Sequence, residues 1–343
     1  MRSLSLFLLL FVCFVSGGAT CVPRGTPTPF PPPPAVLTET PSINDVAAAV
    51  NRTSSVRQLS TNSATVDVLS MPALPKLSAT IHLERAQNFR LNASLPIVMG
   101  SGFDMGSNDQ RFWFQVPEGI SQTLYYANHE QYRQQLNRAI LPVDPTWIMD
   151  ALGLVQLDPL TVVAGPVRRS DGKLEVRSTI SMPSGTYQRV CLIDPAAGFV
   201  THQFLYAPDG NLVATSEASK HRYYEEHQCA LPHLVTLNLQ PSGGPPLSMQ
   251  IDVGSYVVNQ LLTGDPMIFQ MPKSANKSVD LSQLGNGQTL AIPTGGMPAP
   301  GNGVAPTGYT GSSGYTGPSG HTAPTGYTTS SRLGPMPFRG IVR

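Results

Sequence analysis

The stretch that most limits the fold runs from Ile193 to Thr215 and reads "IDPAAGFVTHQFLYAPDGNLVAT". It holds two chemically explicit turns, "DPAAG" at Asp194 to Gly198 and "APDGN" at Ala207 to Asn211. Each places Asp, Pro and Gly where a tight reversal needs a preset φ, a local side-chain acceptor or a residue free to go left-handed. The segment between them is too short for a helix and rich in β-branched and aromatic residues. Consecutive hairpins of this kind lie beside one another, and the pattern extends in both directions. Upstream come "SATVDVLSM", "KLSATIHLERA", "NFRLNASLP", "RFWFQV", "QTLYYANHE", "KLEVRSTISM" and "TYQRVCLID"; downstream come "LPHLVTLNLQ" and "LSMQIDVGSYVVN". The expectation is a mainly β (α+β) domain, a single curled antiparallel sheet or incomplete β-barrel capped by short helices. Alternation with polar residues leaves one face wet or only partly covered.

Two helices interrupt the strands. In "TPSINDVAAAVNRTSS", Ser42 and Asp45 form a capping-box pattern, and Ile43, Val46, Ala47 and Val50 share a face. In "VDPTWIMDALGL", Asp144 is the predicted N-cap, Pro145 opens the first turn and Gly153 ends it. Trp147, Ile148, Ala151 and Leu152 give that short helix an apolar face too large to leave in water. Both helices are expected to cap one face of the sheet.

The two ends differ from the middle. Arg2 and the apolar run Leu4 to Val15 have the layout of an export signal, shorter than the ~20 apolar residues a membrane-spanning helix needs. Two cuts fit it. One follows Ala19, with small residues before it; the other precedes Cys21, the lipid-attachment residue of a bacterial lipoprotein, although Gly18 and Thr20 depart from the usual box. Residues 1–20 are thus the signal, and 21–41 a proline-rich tether expected to be extended and solvated. Residues 42–284 form the β domain. In the remaining 285–343, units of six repeat as "PTGYTG", "SSGYTG", "PSGHTA" and "PTGYTT", with almost no aliphatic side chain to bury. That tail is predicted to be disordered.

Net charge is +1, which gives no electrostatic footprint for nucleic acid. Past the signal border the cysteines are Cys191 and Cys229; a disulfide is open to them in an oxidising compartment, and so is packing as two small hydrophobes. His221, His227 and His233 stand six apart around Cys229, wider than the usual spacing of zinc ligands, so no metal is expected. No G-x-S-x-G elbow, Walker loop or HExxH is present, and the chain is read as neither an enzyme nor a cofactor binder.

Several of these segments resemble a known family. "LERAQNFRL", the hairpin pair from Ile193 to Thr215 and the closing "GDPMIFQMPKSANKSVDL" are similar to the bacterial LolA/LolB-like lipoprotein-carrier superfamily. "FDMGSNDQRFWFQVP" and "PVDPTWIMDALGLVQLDP" resemble, more narrowly, planctomycete-type predicted outer-membrane lipoproteins of that superfamily. The likeness covers about Ile43 to Leu281. It implies an incomplete barrel around an apolar space for acyl chains, in a protein of the bacterial cell envelope. The implied location is the outer membrane facing the periplasm, or a soluble periplasmic or secreted state if the cut follows Ala19. The implied partners are a membrane, through the lipid on Cys21, and an acyl-lipid or lipoprotein cargo.

Candidate lining residues are Phe89, Leu91, Phe103, Phe112 and Phe114 on strands, with Trp147, Ile148 and Leu152 on the closing helix. The competing reading is that the same side chains fill a packed core, in a structural or interaction lipoprotein without ligand. Arg90 is expected to face solvent, with a hydrogen bond to the closing helix as the alternative. Leu95 to Phe103 is the nearest equivalent of a membrane-entering loop, or else a strand end.

Overall fold

The structure, a computed structural model, describes residues 30–94, 102–115, 123–134, 147–240, 246–273 and 277–283. The signal, Cys21, the predicted cap Asp144–Pro145, residues 95–101 of the candidate loop and the repeat tail lie outside the described residues.

Helix α1 (Ile43–Val50) begins where its capping box sits. The Asp45 N–H donates to Ser42 Oγ at 3.2 Å, and the Ser42 N–H donates to the Asp45 carboxylate at 2.9 Å. The strands follow in chain order: β1 (Gln58–Asp67), β2 (Leu77–Glu84), β3 (Asn88–Ser94), β4 (Phe103–Ser107), β5 (Arg111–Gln115) and β6 (Thr123–Asn128). After two helical segments come β7 (Val162–Arg168), β8 (Leu174–Met182), β9 (Gly185–Ile193), β10 (Val200–Tyr206) and β11 (Leu212–Ser219). The small β12 (Arg222–Tyr224) and β13 (Cys229–Leu231) pair with each other. Then come β14 (Leu234–Leu239), β15 (Leu247–Val253), β16 (Val257–Val258) and β17 (Lys277–Asp280).

All but β12 and β13 belong to one 15-stranded sheet ordered β17-β6-β5-β4-β3-β2-β1-β15-β14-β11-β10-β9-β8-β7, with β16 beside β1. Among the described residues every pairing is antiparallel except β17 on β6, so the sheet is mixed at that end. The end strands β7 and β17 do not meet, and the sheet is not closed into a barrel. It is curled nonetheless. Phe114 on β5 and Leu237 on β14 border one pocket although six strand spacings, about 29 Å on a flat sheet, separate them. The predicted antiparallel, curled, helix-capped sheet is the architecture observed.

Direct cross-strand partners share a face, so the register sorts the side chains. One inward row joins Leu83, Phe89, Ser107, Phe112 and Ala127; the next joins Ile81, Leu91, Met105, Phe114 and Tyr125. The rows between them, with Arg90, Gly106 and Trp113, point the other way.

The helices cap the inner face at two places. α1 packs Val46, Ala47 and Val50 on Leu174, Val176, Cys191 and Ile193. The second segment is α-helical only over Trp147–Met149, named α3 here, and continues as a π turn, Asp150–Leu154. Gly153 takes φ 97° inside that turn and ends it, as the sequence indicated. This segment joins the larger core around β1–β6, β14 and β15. One helix was missed: "QTLYYANHE" is strand only to Asn128, whose side chain then caps α2 (His129–Arg133) through the Glu130 and Gln131 N–H groups. The signal was present, an Asn at the cap position with Glu130 in the turn that follows.

The proline-rich segment requires a correction. Residues 30–41 are not a solvated spacer. Phe30, Pro31, Pro33, Val36 and Leu37 are half-buried, and Pro41 is buried. The Val36 and Leu37 N–H groups both donate to the Ala196 carbonyl, at 2.7 and 3.0 Å, and Leu37 packs beside α1. A few half-buried residues recover enough apolar area to hold the segment, because proline loses little entropy when it is fixed.

Candidate functional site

Between α3 and the inner face lies an enclosed pocket with an almost wholly apolar lining. Phe89, Met105, Phe112 and Phe114 come from β3–β5, Trp147 and Ile148 from α3, and Leu237, Leu239, Leu247 and Met249 from β14 and β15. Of the eight predicted lining residues, the fold brings five together here: Phe89, Phe112, Phe114, Trp147 and Ile148. Leu91 and Leu152 are fully buried core, and Phe103 packs against that core from its edge. The missed lining residues are Met105 on β4 and those of β14 and β15. Alternation shows that Leu237 and Leu239 share a face, but only the curl of the sheet sets them opposite β5.

The space left in the pocket is about 30 Å³, about the volume one water occupies in the liquid. On its far side Trp147 also borders an open cleft of about 550 Å³, formed with Glu130, Arg133, Asp150, Ile180, Met182, Arg189 and Leu205. The indole therefore stands between the filled interior and the surface. Its Nε1 is buried and has no hydrogen-bond partner among the described residues, so packing alone holds the ring.

The polar side of the site is set by two arginines, neither anticipated in its role. Arg189 is buried on the inner face between the two apolar clusters. Its Nη2 donates to the Gln156 carbonyl at 2.8 Å, and its Nη1 lies 3.3 Å from the Asp150 carboxylate. It thus ties down the turn that follows α3. Arg85 links the end of the same turn to the segment after α1, its Nη2 donating to the Leu154 carbonyl at 3.5 Å and the Thr53 carbonyl at 3.0 Å, and its Nε to the Val56 carbonyl at 2.8 Å.

The expectation for Arg90 is corrected on both counts, since it neither faces solvent nor touches the closing helix. Its Nε donates to Asp104 Oδ1 at 3.0 Å, and its Nη1 donates to the Ile268 and Gln270 carbonyls, both at 3.0 Å. The return segment after β16 lies over the outer face of β3 to β5 and buries this group.

Cys191 and Cys229 are free and buried in separate apolar clusters. Burial raises both thiol pKa values, that of Cys229 to about 11, so they are packed hydrophobes and not nucleophiles. The histidines are spread apart. His221 stacks on Phe199 with ring centroids 3.9 Å apart, and His233 donates from Nδ1 to the Val253 carbonyl at 2.6 Å. Among the described residues no group of three His, Cys, Asp or Glu side chains is placed to hold a metal. No helix among them is long and apolar enough to cross a membrane.

Comparison of the fold finds similar solved structures. One is a domain described as an outer membrane lipoprotein-sorting protein from Vibrio parahaemolyticus, 10% identical, covering 64% of this chain and 94% of that one, with a TM-score of 0.42. Another is a LolA superfamily protein from Nitrosomonas europaea, 12% identical, covering 66% and 97%, with a TM-score of 0.38. A DUF1329 family protein from Desulfovibrio piger is also similar, at 11% identity, 66% and 97% coverage and a TM-score of 0.41. No protein-family model and no curated protein matches the chain. The narrower planctomycete likeness rests on the sequence segments alone.

Proposed function

We propose that this is a non-catalytic protein of the bacterial cell envelope, held at a membrane by a lipid on Cys21. In this reading it accepts the acyl chain of a lipid or lipoprotein under α3. The observation that carries the proposal is the position of Trp147, which separates an apolar interior from an open cleft and is held by no hydrogen bond. An acyl chain enters from the cleft by displacing the α3 turn. Losing the packing of a buried Trp costs about 3–5 kcal/mol. Each CH₂ buried returns about 0.8 kcal/mol, so roughly four to six methylenes offset the displacement and a longer chain binds. Met105 and Met249 in the lining adapt their shape to such a guest at low cost. The proposed site is the outer membrane facing the periplasm; a cut after Ala19 would leave the protein soluble.

A second reading is favoured by one number. The enclosed space of about 30 Å³ is roughly tenfold below the ~300 Å³ where ligand pockets begin, as expected of a structural envelope protein with a filled core.

Native mass spectrometry of the mature protein and titration with a fluorescent fatty acid separate the two. Saturable uptake that Trp147→Ala alters supports the acyl-binding role. Exclusion of the probe by a folded wild type, with Trp147→Ala merely less stable, leaves the packed-core reading standing. For the anchor, Cys21→Ser should remove the mass of a diacylglycerol and release the protein from membranes. A variant that still fractionates with membranes, with no lost mass, would sink the anchor.

A further inference from the structure

The docked N-terminal segment occupies a built groove. Phe30 lies 4.9 Å from the Tyr224 ring and 6.0 Å from the His233 ring, with the Arg222 guanidinium over the Phe30 ring at 5.3 Å from its centroid. This aromatic seat is fixed from behind. Tyr224 Oη lies 3.0 Å from His233 Nε2 and accepts from the Tyr256 N–H at 3.2 Å, while His233 Nδ1 is held by the Val253 carbonyl. Further along, Pro33 and Pro34 border a furrow walled by Phe199, His221, Tyr223, Val155 and the start of β13, with only about 30 Å³ left unfilled. The furrow ends at Ala196, whose carbonyl takes both the Val36 and Leu37 N–H groups.

Phe30, Pro31, Pro33, Val36 and Leu37 are half-buried, whereas Pro32, Pro34 and Ala35 are exposed, so one side of the strap lies on the protein. Four consecutive prolines hold the chain near a polyproline II conformation before it docks. Aromatic-lined grooves that receive such a preformed segment are a recurring mode of peptide recognition.

We propose that the groove formed by Phe199, His221, Tyr223, Tyr224 and Arg222 is a polyproline-recognition site. Its ligand is an extended segment with an aromatic residue immediately before a run of prolines. The protein's own Phe30–Leu37 fills it in cis, and the same kind of segment in another chain binds once that strap is released. The site is distinct from the α3 pocket, touching only the end of the α3 turn at Gly153 and Val155, and its proposal rests neither on acyl binding nor on lipidation of Cys21.

The test uses the full mature chain with Phe30→Ser and Pro31 to Pro34 each changed to Gly. The probe is a fluorescein-labelled peptide, "PTPFPPPPAVLTE", corresponding to residues 27–39. Fluorescence anisotropy should show saturable binding to the strap variant at least tenfold tighter than to wild type, where the cis strap competes. A peptide carrying the same Ser and Gly changes should not bind. A strap variant that keeps the wild-type circular dichroism spectrum and binds no peptide overturns the proposal. Hydrogen exchange on the wild type covers the case of a misfolded variant. Excess peptide should strip protection from the Val36 and Leu37 amides, and unchanged protection at saturating peptide counts against the site.

Discussion

Arg90 and Asp104 clasp each other across β3 and β4, on the face of the sheet turned away from the α3 pocket. Two hydrogen bonds join the guanidinium to the carboxylate, and the third arm of the fork reaches the Ile268 and Gln270 carbonyls. Both side chains are largely buried, at 16% and 8% exposure, because the return segment after β16 covers them. One arginine therefore fixes two strands and a long connection together. Removing one partner strands the other charge in a poorly solvated place, at a cost of about 3–5 kcal/mol. Arg90→Ala and Asp104→Ala should each lower the unfolding free energy by that amount, read from urea denaturation curves. The double variant should lose much less than their sum, and additive losses would show that the pair does not act as a unit.

Gly106 lies directly beneath Trp113, its cross-strand partner. A Cβ there would sit 2.2 Å from the Trp113 ring, too close for any real contact. Gly106→Ala should destabilise by about 1–3 kcal/mol, the usual cost of overpacking, and shift the Trp fluorescence as the ring is pushed outward. Trp113→Leu in the same background should recover part of the loss. No loss in Gly106→Ala would mean that the indole does not lie flat on the strand.

His221 is the largest pH liability among the described histidines. Burial, the leading cause, lowers its pKa from 6.5 to about 4. Because the folded value is depressed, the unfolded chain takes up the proton first as pH falls. The contribution is complete above pH 6.5, is lost between 6.5 and about 4, and stays flat below. The span corresponds to about 3 kcal/mol. His82, His202 and His233 shift in the same direction, also chiefly through burial, so a slope remains without His221. Urea titrations from pH 7.5 to 4 should show a shallower fall for His221→Phe, which keeps a ring against Phe199. Parallel curves would contradict the burial of the imidazole.

The two thiols should be silent in the native state. Cys191 and Cys229 are buried, with both pKa values raised by desolvation. A disulfide-exchange reagent at pH 8 should titrate neither thiol in native mature protein Cys21→Ser and both in denaturant. Fast native labelling of either would place it nearer the surface than its apolar cluster allows.

Much of this molecule was legible locally. The turns at Asp194–Gly198 and Ala207–Asn211 dictate hairpins whatever surrounds them, because Asp, Pro and Gly act through their own backbone. The Ser42–Asp45 box set the start of α1 for the same reason, and Gly153 the end of the α3 turn. Alternation along β3 and β5 separated Phe89, Phe112 and Phe114 from Arg90 and Trp113. The candidate site was half legible: the phenylalanines and Trp147 were identifiable by size and patterning, whereas Leu237, Leu239 and Met249 were not. Their approach to β5 requires the sheet to bend through six strand spacings.

What local chemistry determined, then, was runs of antiparallel hairpins with an apolar face and two caps; that the two runs join at β1 and β15 came from the tertiary structure. The tertiary structure decided what covers each face. Whether Arg90 meets water or Asp104 depends on a segment about 180 residues away. Whether the proline run is a free tether or a docked strap depends on a furrow assembled from α1, β12, β13 and the turn at Ala196. A side chain's alternation specifies its direction, but burial is a property of whatever arrives opposite. Only the assembled chain supplies that partner.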